Sequence, residues 1–189
     1  MTTIRLYMTV SLDGYVAGPR DSVDDPMGVG GFRLFNWLDL RNEPGPSGEV
    51  YAEVLATRAL ISGRRTYEHA DRWHGDHHDG VPVFILSRTK TPADVEQWPL
   101  ITVLDDAADA ITRAKEAAGD RDVLVHGVGC AAAALSAGVL DEVQLHLVPT
   151  ILGEGRRLFE GIGAEPHEFE LLRNIEGPGV THLRYRVVR

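Results

Sequence analysis

The chain alternates between short runs of β-branched and aromatic residues and longer amphipathic stretches. The run at residues 4–10 predicts a first strand. Four further apolar runs of strand length predict buried strands, at residues 59–62, 81–86, 101–104 and 123–125. Stretches with helical spacing predict helices at residues 32–40, 47–58, 66–70, 107–118 and 130–137, the second of them capped by Ser47. Strands that alternate with helices indicate a mostly parallel sheet that is covered on both sides.

The C-terminal part of the chain follows a different pattern. Apolar and polar residues alternate over 143–147, with Gln144 and His146 on the polar side, which predicts a half-buried strand. Residues 167–174 and 180–188 predict two further strands around a Gly-Pro-Gly turn. This last pair adds antiparallel strands to the sheet. The sequence therefore predicts an α/β fold with a mostly parallel mixed sheet and C-terminal antiparallel strands.

The composition limits the class of protein. A chain of 189 residues with 43% hydrophobic and 25% charged residues predicts one folded domain over residues 1–189. A net charge of −9 without a basic run argues against a nucleic-acid partner. The single cysteine excludes a disulfide framework and any multi-cysteine metal site within the chain. With no long apolar stretch and no signal-like start, we expect a cytoplasmic protein that does not bind membranes.

The turns that follow strands are the informative positions, because α/β sheets bind ligands beyond the carboxyl ends of their strands. The first such turn, residues 63–67, is Gly-Arg-Arg-Thr-Tyr. Glycine permits a close turn, and two adjacent arginines supply positive charge with bidentate geometry for phosphate. This turn predicts phosphate binding. The alternative is a solvated helix start whose arginines pair with nearby acids.

The second turn, residues 86–90, is Leu-Ser-Arg-Thr-Lys. A hydroxyl, a guanidinium and an ammonium group are suited to a monophosphate. A 2′-phosphate distinguishes NADP from NAD, and arginine is its usual partner. The alternative is an ordinary basic loop.

The third turn, residues 126–132, contains Gly-x-Gly-x-x-Ala between a predicted strand and a predicted helix. A Rossmann site would carry an acidic residue about 20 positions later, at the end of the next strand. That strand ends in Leu147-Val148-Pro149 instead. The turn therefore predicts a diphosphate cradle in a different fold.

These segments resemble one superfamily. Residues 63–68 and 83–88 resemble the cofactor-binding segments of dihydrofolate reductases. The reductase domain of the bifunctional riboflavin-biosynthesis deaminase–reductase is similar in four places, residues 11–17, 125–129, 140–143 and 148–155. The resemblance runs in order from residue 2 to residue 188. It identifies the chain as a member of the dihydrofolate-reductase-like superfamily, in its riboflavin-reductase branch.

The resemblance implies a three-layer α/β/α fold that binds NADPH, usually as a homodimer. It also implies reduction of a small molecule, a heterocycle or its sugar-phosphate adduct, like that by 5-amino-6-(5-phosphoribosylamino)uracil reductase. The implied cofactor-binding residues are Ala17, Gly63, Arg64, Arg65, Thr66, Leu86, Ser87, Arg88, Gly127, Val128, Gly129, Cys130 and Ala131. The implied substrate-binding residues are Ser11, Asp13 and His126. Asp13 is also the candidate catalytic residue, to orient substrate or relay a proton, unless it only forms the turn before Gly14.

The chain departs from both relatives on the substrate side. Residues 32–38 hold no acid, whereas dihydrofolate reductases carry a carboxylate in the helix after the first loop. Residues 68–74 do not match the acid-Pro-Leu-Thr-Arg run of the riboflavin reductases, which also have a glutamate where His126 stands. Three alternatives therefore stay open: reduction of dihydrofolate, a non-catalytic NADPH-binding module, and a structural domain without a ligand.

Two further features predict no chemistry of their own. Four histidines and three aspartates lie within residues 69–79, but their spacing fits no helical pair of metal ligands. We expect a polar loop at the rim of the pocket, and no metal. Cys130 stands at a helix start without a histidine–acid pair that the sequence reveals, which favours a small buried residue.

Overall fold

The computed structural model describes residues 2–89 and 95–189. The strands are β1 (Ile4–Ser11), β2 (Tyr15–Ala17), β3 (Ala59–Gly63), β4 (Val83–Leu86), β5 (Ile101–Leu104), β6 (Val123–His126), β7 (Glu142–Val148), β8 (Arg156–Arg157), β9 (Phe169–Gly177) and β10 (Val180–Val187). The α-helices are α1 (Pro46–Leu55), α2 (Arg64–His69), α3 (Ala107–Ala118) and α4 (Val128–Ser136). Short 3-10 helices occupy Gly31–Leu40, Asp71–Gly75 and Val95–Gln97.

Eight strands form one mixed sheet in the order β5-β4-β3-β6-β1-β7-β10-β9. The first six run parallel to their neighbours, and β10 is antiparallel to both β7 and β9. The short strands β2 and β8, which the sequence pattern did not reveal, pair antiparallel beside it. The predicted α/β class and the antiparallel C-terminal strands are confirmed.

Helices cover both faces of this sheet, so the predicted three-layer arrangement is confirmed. On one face, α3 and α4 pack their alanines against Ile4 and Leu6 of β1 in a first apolar core. On the other face, α1, α2 and the 31–40 segment enclose a second core that includes Tyr7 and Trp37. Leu6 and Tyr7 belong to different cores because successive residues of a strand point to opposite faces.

Helix boundaries follow local capping, and two predictions need correction. The prediction for 107–118 is confirmed, because the Asp106 carboxylate accepts the Asp109 N–H at 2.7 Å and caps α3. Ser47 does not cap α1: the helix begins at Pro46 and Ser47 is buried within it, with its Oγ 3.4 Å from His182 Nε2. The predicted helix at 32–40 is present as the tighter 3-10 form.

The strand β7 is more deeply buried than its alternation predicts. Gln144 and His146 are 0% exposed, although the sequence placed them on the polar side of a half-buried strand. Trp37 covers His146, with ring centroids 4.4 Å apart, and Arg184 donates to Gln144 Oε1 at 2.8 Å. The prediction of a half-exposed polar face was wrong because the 31–40 segment covers it.

An ion-pair cluster fixes α1 to the antiparallel strands. The Glu53 carboxylate accepts two hydrogen bonds from the guanidinium of Arg173, at 2.6 and 2.8 Å, and another from Arg184. This bidentate arrangement joins α1 to both β9 and β10. No helix in residues 2–89 and 95–189 has the length and apolar character that crossing a bilayer requires.

Candidate functional site

Three turns that follow strands lie side by side at one edge of the large sheet. The strands β4, β3 and β6 are neighbours, and Gly63 pairs with Leu86 while Ser62 pairs with His126. The three strands therefore end at the same level. We call the turns that follow them, residues 63–66, 86–89 and 126–131, the turn cluster.

The first and third turns touch through their glycines. A Cβ on Gly127 would lie 2.7 Å from Thr66 Oγ1, and the φ of Gly127 is +97°. A Cβ on Gly63 would contact Cys130 Sγ at 3.7 Å. Only glycine satisfies both the backbone conformation and the close approach at position 127.

The start of α4 offers an open backbone surface. Gly129 is exposed, and a Cβ built there would meet no heavy atom of the described residues within 4 Å. Val128 beside it is half-buried. The first N–H groups of a helix have no partner within it and carry a positive partial charge. This end of α4 therefore presents a positive partial charge on an open backbone surface, which suits an anion.

Two of the predicted cofactor residues in α4 are buried. Cys130 is 2% exposed and Ala131 is 0% exposed. Burial raises the pKa of the Cys130 thiol to about 12, so the thiol stays neutral at physiological pH. Any role of these two residues in binding falls to their backbone atoms, while their side chains pack α4 on the sheet.

The second turn reaches the first through Arg64. Its Nε donates to Glu68 Oε1 at 2.7 Å, and another of its guanidinium nitrogens donates to Thr89 Oγ1. Ser87 is buried, with its Oγ 3.2 Å from Thr89 Oγ1, and Arg88 is exposed. Lys90, the last residue of the predicted turn, lies outside the described residues. The second turn thus brings the Ser87 and Thr89 hydroxyl groups together beside the Arg64 guanidinium, with Arg88 exposed between them in the chain.

Arg65 projects towards a loop that the sequence did not connect with it. Its Nε donates to Asp21 Oδ2 at 2.8 Å, and its terminal nitrogen donates to the Asp21 carbonyl oxygen at 2.8 Å. An open groove of about 580 Å³ lies between residues 21–23 and one face of α2. Arg65 itself is 48% exposed at the wall of this groove. The groove therefore combines an exposed cation with space for a ligand.

Two more residues that the sequence missed complete this contact. Arg156 Nε lies 3.5 Å from Asp21 Oδ2, and His69 Nδ1 lies 3.8 Å from the same oxygen. The short β2–β8 pair positions Arg156, because it pairs there with Ala17, a predicted cofactor residue that is 5% exposed. The signal in the sequence was the pair Arg156-Arg157 directly after the glycine-rich segment 153–155.

The carboxylate of Asp13 holds two loops together. It accepts the Ser11 hydroxyl at 2.6 Å and the backbone N–H groups of Leu152 and Gly153 at 3.2 and 2.7 Å. The Ser11 hydroxyl accepts the Tyr15 N–H at 2.9 Å in turn. The hydrogen bond from Ser11 and those from the two backbone groups lower the pKa of Asp13. Asp13 is therefore ionised at neutral pH, with both oxygens already engaged by the protein.

His126, the third predicted substrate residue, lies at the carboxyl end of β6. Its Nδ1–H donates to the Tyr7 carbonyl oxygen at 2.9 Å, and its ring centroid is 5.4 Å from that of His77. Burial lowers the pKa of His126 to about 4 and that of His77 to about 2. Both rings are neutral at pH 7. The hydrogen bond to Tyr7 leaves His126 Nε2 as an acceptor.

A strained turn brings His77 to this position. Residues 71–74 have φ values of 47 to 54°, a left-handed conformation that residues other than glycine seldom adopt. It places the ring of Trp73 5.8 Å from Tyr67 and 4.9 Å from His77. The sequence predicted only a polar loop here, since no pattern of residue types reveals four consecutive positive φ angles.

A buried polar cluster lies further along the same face of the sheet. His146 and His182 are 0% exposed, and their Nδ1 atoms are 2.7 Å apart. The rings of Tyr7 and Trp37 lie 4.2 and 4.4 Å from that of His146. Burial lowers the pKa of His182 to about 4 and that of His146 well below its usual value. We call Tyr7, Trp37, His146 and His182 the histidine cluster.

None of these groups forms a candidate metal centre. Within the described ranges, no three histidine, cysteine or acidic side chains come together as metal ligands would. The His77 and His78 rings meet through their Nδ1 atoms at 2.6 Å instead, and His78 Nε2 lies 3.2 Å from Thr57 Oγ1. These contacts fix the 71–80 loop against the end of α1.

Known proteins share this fold. A dihydrofolate reductase of Enterococcus faecalis, solved with NADP(H), superposes with a TM-score of 0.65 at 12% identity, covering 98% of this chain and 96% of that one. A deaminase/5-amino-6-(5-phosphoribosylamino)uracil reductase of Thermotoga maritima superposes with a TM-score of 0.69 at 16% identity, covering 99% of this chain and 57% of that one. A putative riboflavin biosynthesis protein of Shewanella sp. PV-4 gives a TM-score of 0.72 at 23% identity, with both chains fully covered. The predicted dihydrofolate-reductase-like fold is confirmed.

Sequence comparison places the chain more narrowly. The uncharacterized protein YwjB of Bacillus subtilis (strain 168) is 29% identical over 168 residues, which cover 85% of this chain and 84% of YwjB. The model of the RibD C-terminal domain matches residues 2–177. Since this match spans nearly the whole chain, the protein belongs to the RibD C-terminal domain family.

Proposed function

We propose that the protein is an NADPH-dependent reductase that transfers a hydride to a small heterocycle or its sugar-phosphate adduct. The activity would resemble that of 5-amino-6-(5-phosphoribosylamino)uracil reductase. The observation that carries the proposal is the turn cluster, in which three turns with phosphate-binding chemistry meet at the carboxyl ends of β4, β3 and β6. The family match and the Thermotoga maritima reductase, which shares the fold, support the same reaction class.

The residues of the turn cluster fit a dinucleotide phosphate. The backbone from Val128 to Ala131, with an open surface at Gly129, would cradle the diphosphate. Arg64, Arg65 and Thr66 would bind its negative charge from the neighbouring turn. The glycine at position 127 makes this possible, because a Cβ there would push the two turns apart.

The second turn would select the phosphorylated cofactor. Ser87 and Arg88 stand at the end of β4, next to the hydroxyl of Thr89. A guanidinium beside hydroxyl groups suits a 2′-phosphate, which NADH lacks. We therefore expect NADPH to bind much more tightly than NADH.

When bound, NADPH supplies the hydride, and the protein supplies orientation and hydrogen bonds. His126 Nε2 is a neutral acceptor at the carboxyl end of β6 and would accept an N–H of the heterocycle. Asp13 would position the 150–153 segment beside the end of β1, since both its oxygens are held by that segment and by Ser11. Neither group holds a readily released proton at neutral pH, so we propose that the proton completing the reduction comes from solvent.

Turnover measurements test the proposal. We expect NADPH oxidation with 5-amino-6-(5-phosphoribosylamino)uracil or a related aminopyrimidine. Oxidation with dihydrofolate alone would favour the pterin alternative, and NADPH binding without oxidation would favour a non-catalytic module. Absence of NADPH binding would favour a structural domain. The homodimer stays a prediction from the family resemblance. Sedimentation of the purified protein measures the oligomeric state.

A further inference from the structure

The carboxylate of Asp21 lies between two arginines and a histidine. Arg65 contacts it at 2.8 Å, Arg156 at 3.5 Å and His69 at 3.8 Å. Its side chain is 13% exposed, whereas that of Arg65 is 48% exposed. A carboxylate and a phosphate oxygen present the same charge and the same hydrogen-bond acceptors to a guanidinium.

The other acid of this groove has its own partner. Glu68 is paired with Arg64 Nε at 2.7 Å, which leaves Asp21 as the carboxylate that neutralises Arg65. Asp24, on the same loop, is exposed and forms no ion pair with the described residues. Asp21, and not its exposed neighbour Asp24, is therefore the acid of this loop that pairs with Arg65.

The loop that carries Asp21 is held at its base by backbone hydrogen bonds and joined to α2 at its tip by Arg65. The Gly18 N–H donates to the Met27 carbonyl at 2.8 Å, and the Val29 N–H donates to the Pro19 carbonyl at 3.0 Å. A Cβ on Gly18 would lie 2.1 Å from the Val29 carbonyl oxygen, so this base is tightly packed. At the tip, Arg65 of α2 donates to the Asp21 carboxylate and to the Asp21 carbonyl oxygen, both at 2.8 Å, beside the open groove. Withdrawal of Asp21 therefore breaks its contacts with Arg65, while the backbone hydrogen bonds of the base can stay in place.

We propose that Asp21 is an internal substitute for a cofactor phosphate, which exchanges with that phosphate at Arg65 and Arg156 when the cofactor binds. This inference rests on the proposed function for the identity of the anion. Before binding, Asp21 keeps the two arginines neutralised and pre-positioned at the groove. On binding, the phosphate displaces the Asp21 carboxylate, so cofactor affinity is lowered by the competition and loop movement is coupled to cofactor entry.

The experiment compares Asp21→Asn with Asp24→Asn, which removes the same charge from an exposed position of the same loop. Each variant and the unmodified protein are titrated calorimetrically with NADPH and, separately, with inorganic pyrophosphate. We expect Asp21→Asn to bind both about two- to fivefold more tightly, the effect of removing one competing ion-pair partner. Asp24→Asn should bind them as the unmodified protein does. Asp21→Ala is the second variant, should the asparagine variant fold poorly.

The outcomes separate the two proposals. Equal or weaker pyrophosphate binding by Asp21→Asn and Asp21→Ala would overturn the exchange, because it would show that Asp21 only positions the arginines. Tighter pyrophosphate binding without any NADPH binding would support the exchange and overturn the proposed cofactor. In an Arg65→Gln background the gain from Asp21→Asn should shrink, because only Arg156 is left to exchange, and an undiminished gain there would also overturn the exchange.

Discussion

The turn cluster and the histidine cluster are both polar, but they are encoded in different ways. Each turn of the turn cluster is a short continuous segment, and its glycines and arginines are visible in the sequence. The histidine cluster draws Tyr7, Trp37, His146 and His182 from four elements that are far apart in the chain. The turn cluster is an exposed surface suited to an anion, whereas the histidine cluster is buried and uncharged at neutral pH. The comparison shows that local motifs reveal ligand surfaces, whereas strand register creates buried polar sites.

Register explains the second cluster. His146 of β7 and His182 of β10 are directly opposite each other in the antiparallel pair, and Thr9 of β1 is opposite His146 on its other side. Trp37 donates its Nε1–H to Thr9 Oγ1 at 3.2 Å and thereby covers the pair. A shift of one residue in either strand would turn these histidines to the other face.

Acidification should produce the largest effect, through the buried histidines of the histidine cluster and through His77 and His126 beside the turn cluster. His146 and His182 have their pKa values lowered in the folded protein, that of His182 to about 4. The unfolded chain takes up these protons near pH 6.5, so stability is full above that pH and is lost as the pH falls towards 4. The two histidines of the cluster contribute a slope of about 2.7 kcal/mol per pH unit, and His77 and His126 add to it. Urea unfolding between pH 7 and pH 4 measures the slope, and a flat profile would show that these histidines take up protons in the folded state as readily as in the unfolded chain.

Replacement of one histidine should destabilise the protein through the histidine cluster and leave the turn cluster intact. His182→Ala removes the partner of His146 Nδ1 and leaves a cavity under Trp37, which should cost about 2–4 kcal/mol of unfolding free energy. The matched control is His74→Ala, whose side chain is 82% exposed, with an expected change within about 0.5 kcal/mol. NADPH affinity should remain unchanged in both. A large loss of affinity in His182→Ala would connect the two clusters and contradict their separation.

Arg65→Gln should give the reverse of His182→Ala, a loss of NADPH affinity with little loss of stability. Its guanidinium is 48% exposed, so we expect little change in melting temperature but about tenfold weaker NADPH binding. Arg113→Gln is the control, because the Arg113 side chain is 51% exposed and forms an ion pair with Asp109 on α3. Calorimetric titration measures both affinities. Equal affinities would remove Arg65 from the cofactor site.

Gly129→Ala tests the backbone cradle with a single methyl group. No described atom lies within 4 Å of the new Cβ, and alanine favours a helix over glycine, so the melting temperature should be unchanged or higher. NADPH affinity should fall by about threefold, since the methyl group occupies the open surface at the start of α4. Unchanged affinity would place the diphosphate elsewhere.

Asp13→Asn separates a positioning role from catalysis. An amide nitrogen in place of one carboxylate oxygen would face an N–H or O–H donor, so the melting temperature should fall modestly. The rate of NADPH oxidation should fall through disorder of the 150–153 segment, with NADPH affinity unchanged. A lost rate without any loss of thermal stability would instead favour the catalytic role for which Asp13 is a candidate in the sequence.

What could be predicted from the sequence follows the same division between local motifs and contacts of residues that are distant in the chain. The strands at 59–62 and 101–104 and the helix at 107–118 were predicted correctly, because apolar runs and an Asp cap encode them locally. The burial of Gln144 could not be predicted from its alternation with apolar neighbours, since the 31–40 segment that covers the strand is distant in sequence. The contact of Arg65 with Asp21 spans 44 positions, and no local pattern joins them.

The central claim is that the turn cluster binds a phosphorylated dinucleotide, and a paired equilibrium titration with NADPH and NADH tests it most directly. Fluorescence of the bound nicotinamide gives both dissociation constants on the unmodified protein and on Arg88→Gln. The account predicts that NADPH binds at least about tenfold more tightly than NADH, and that Arg88→Gln removes most of that difference. Equal affinities, or no binding of either nucleotide, would contradict it.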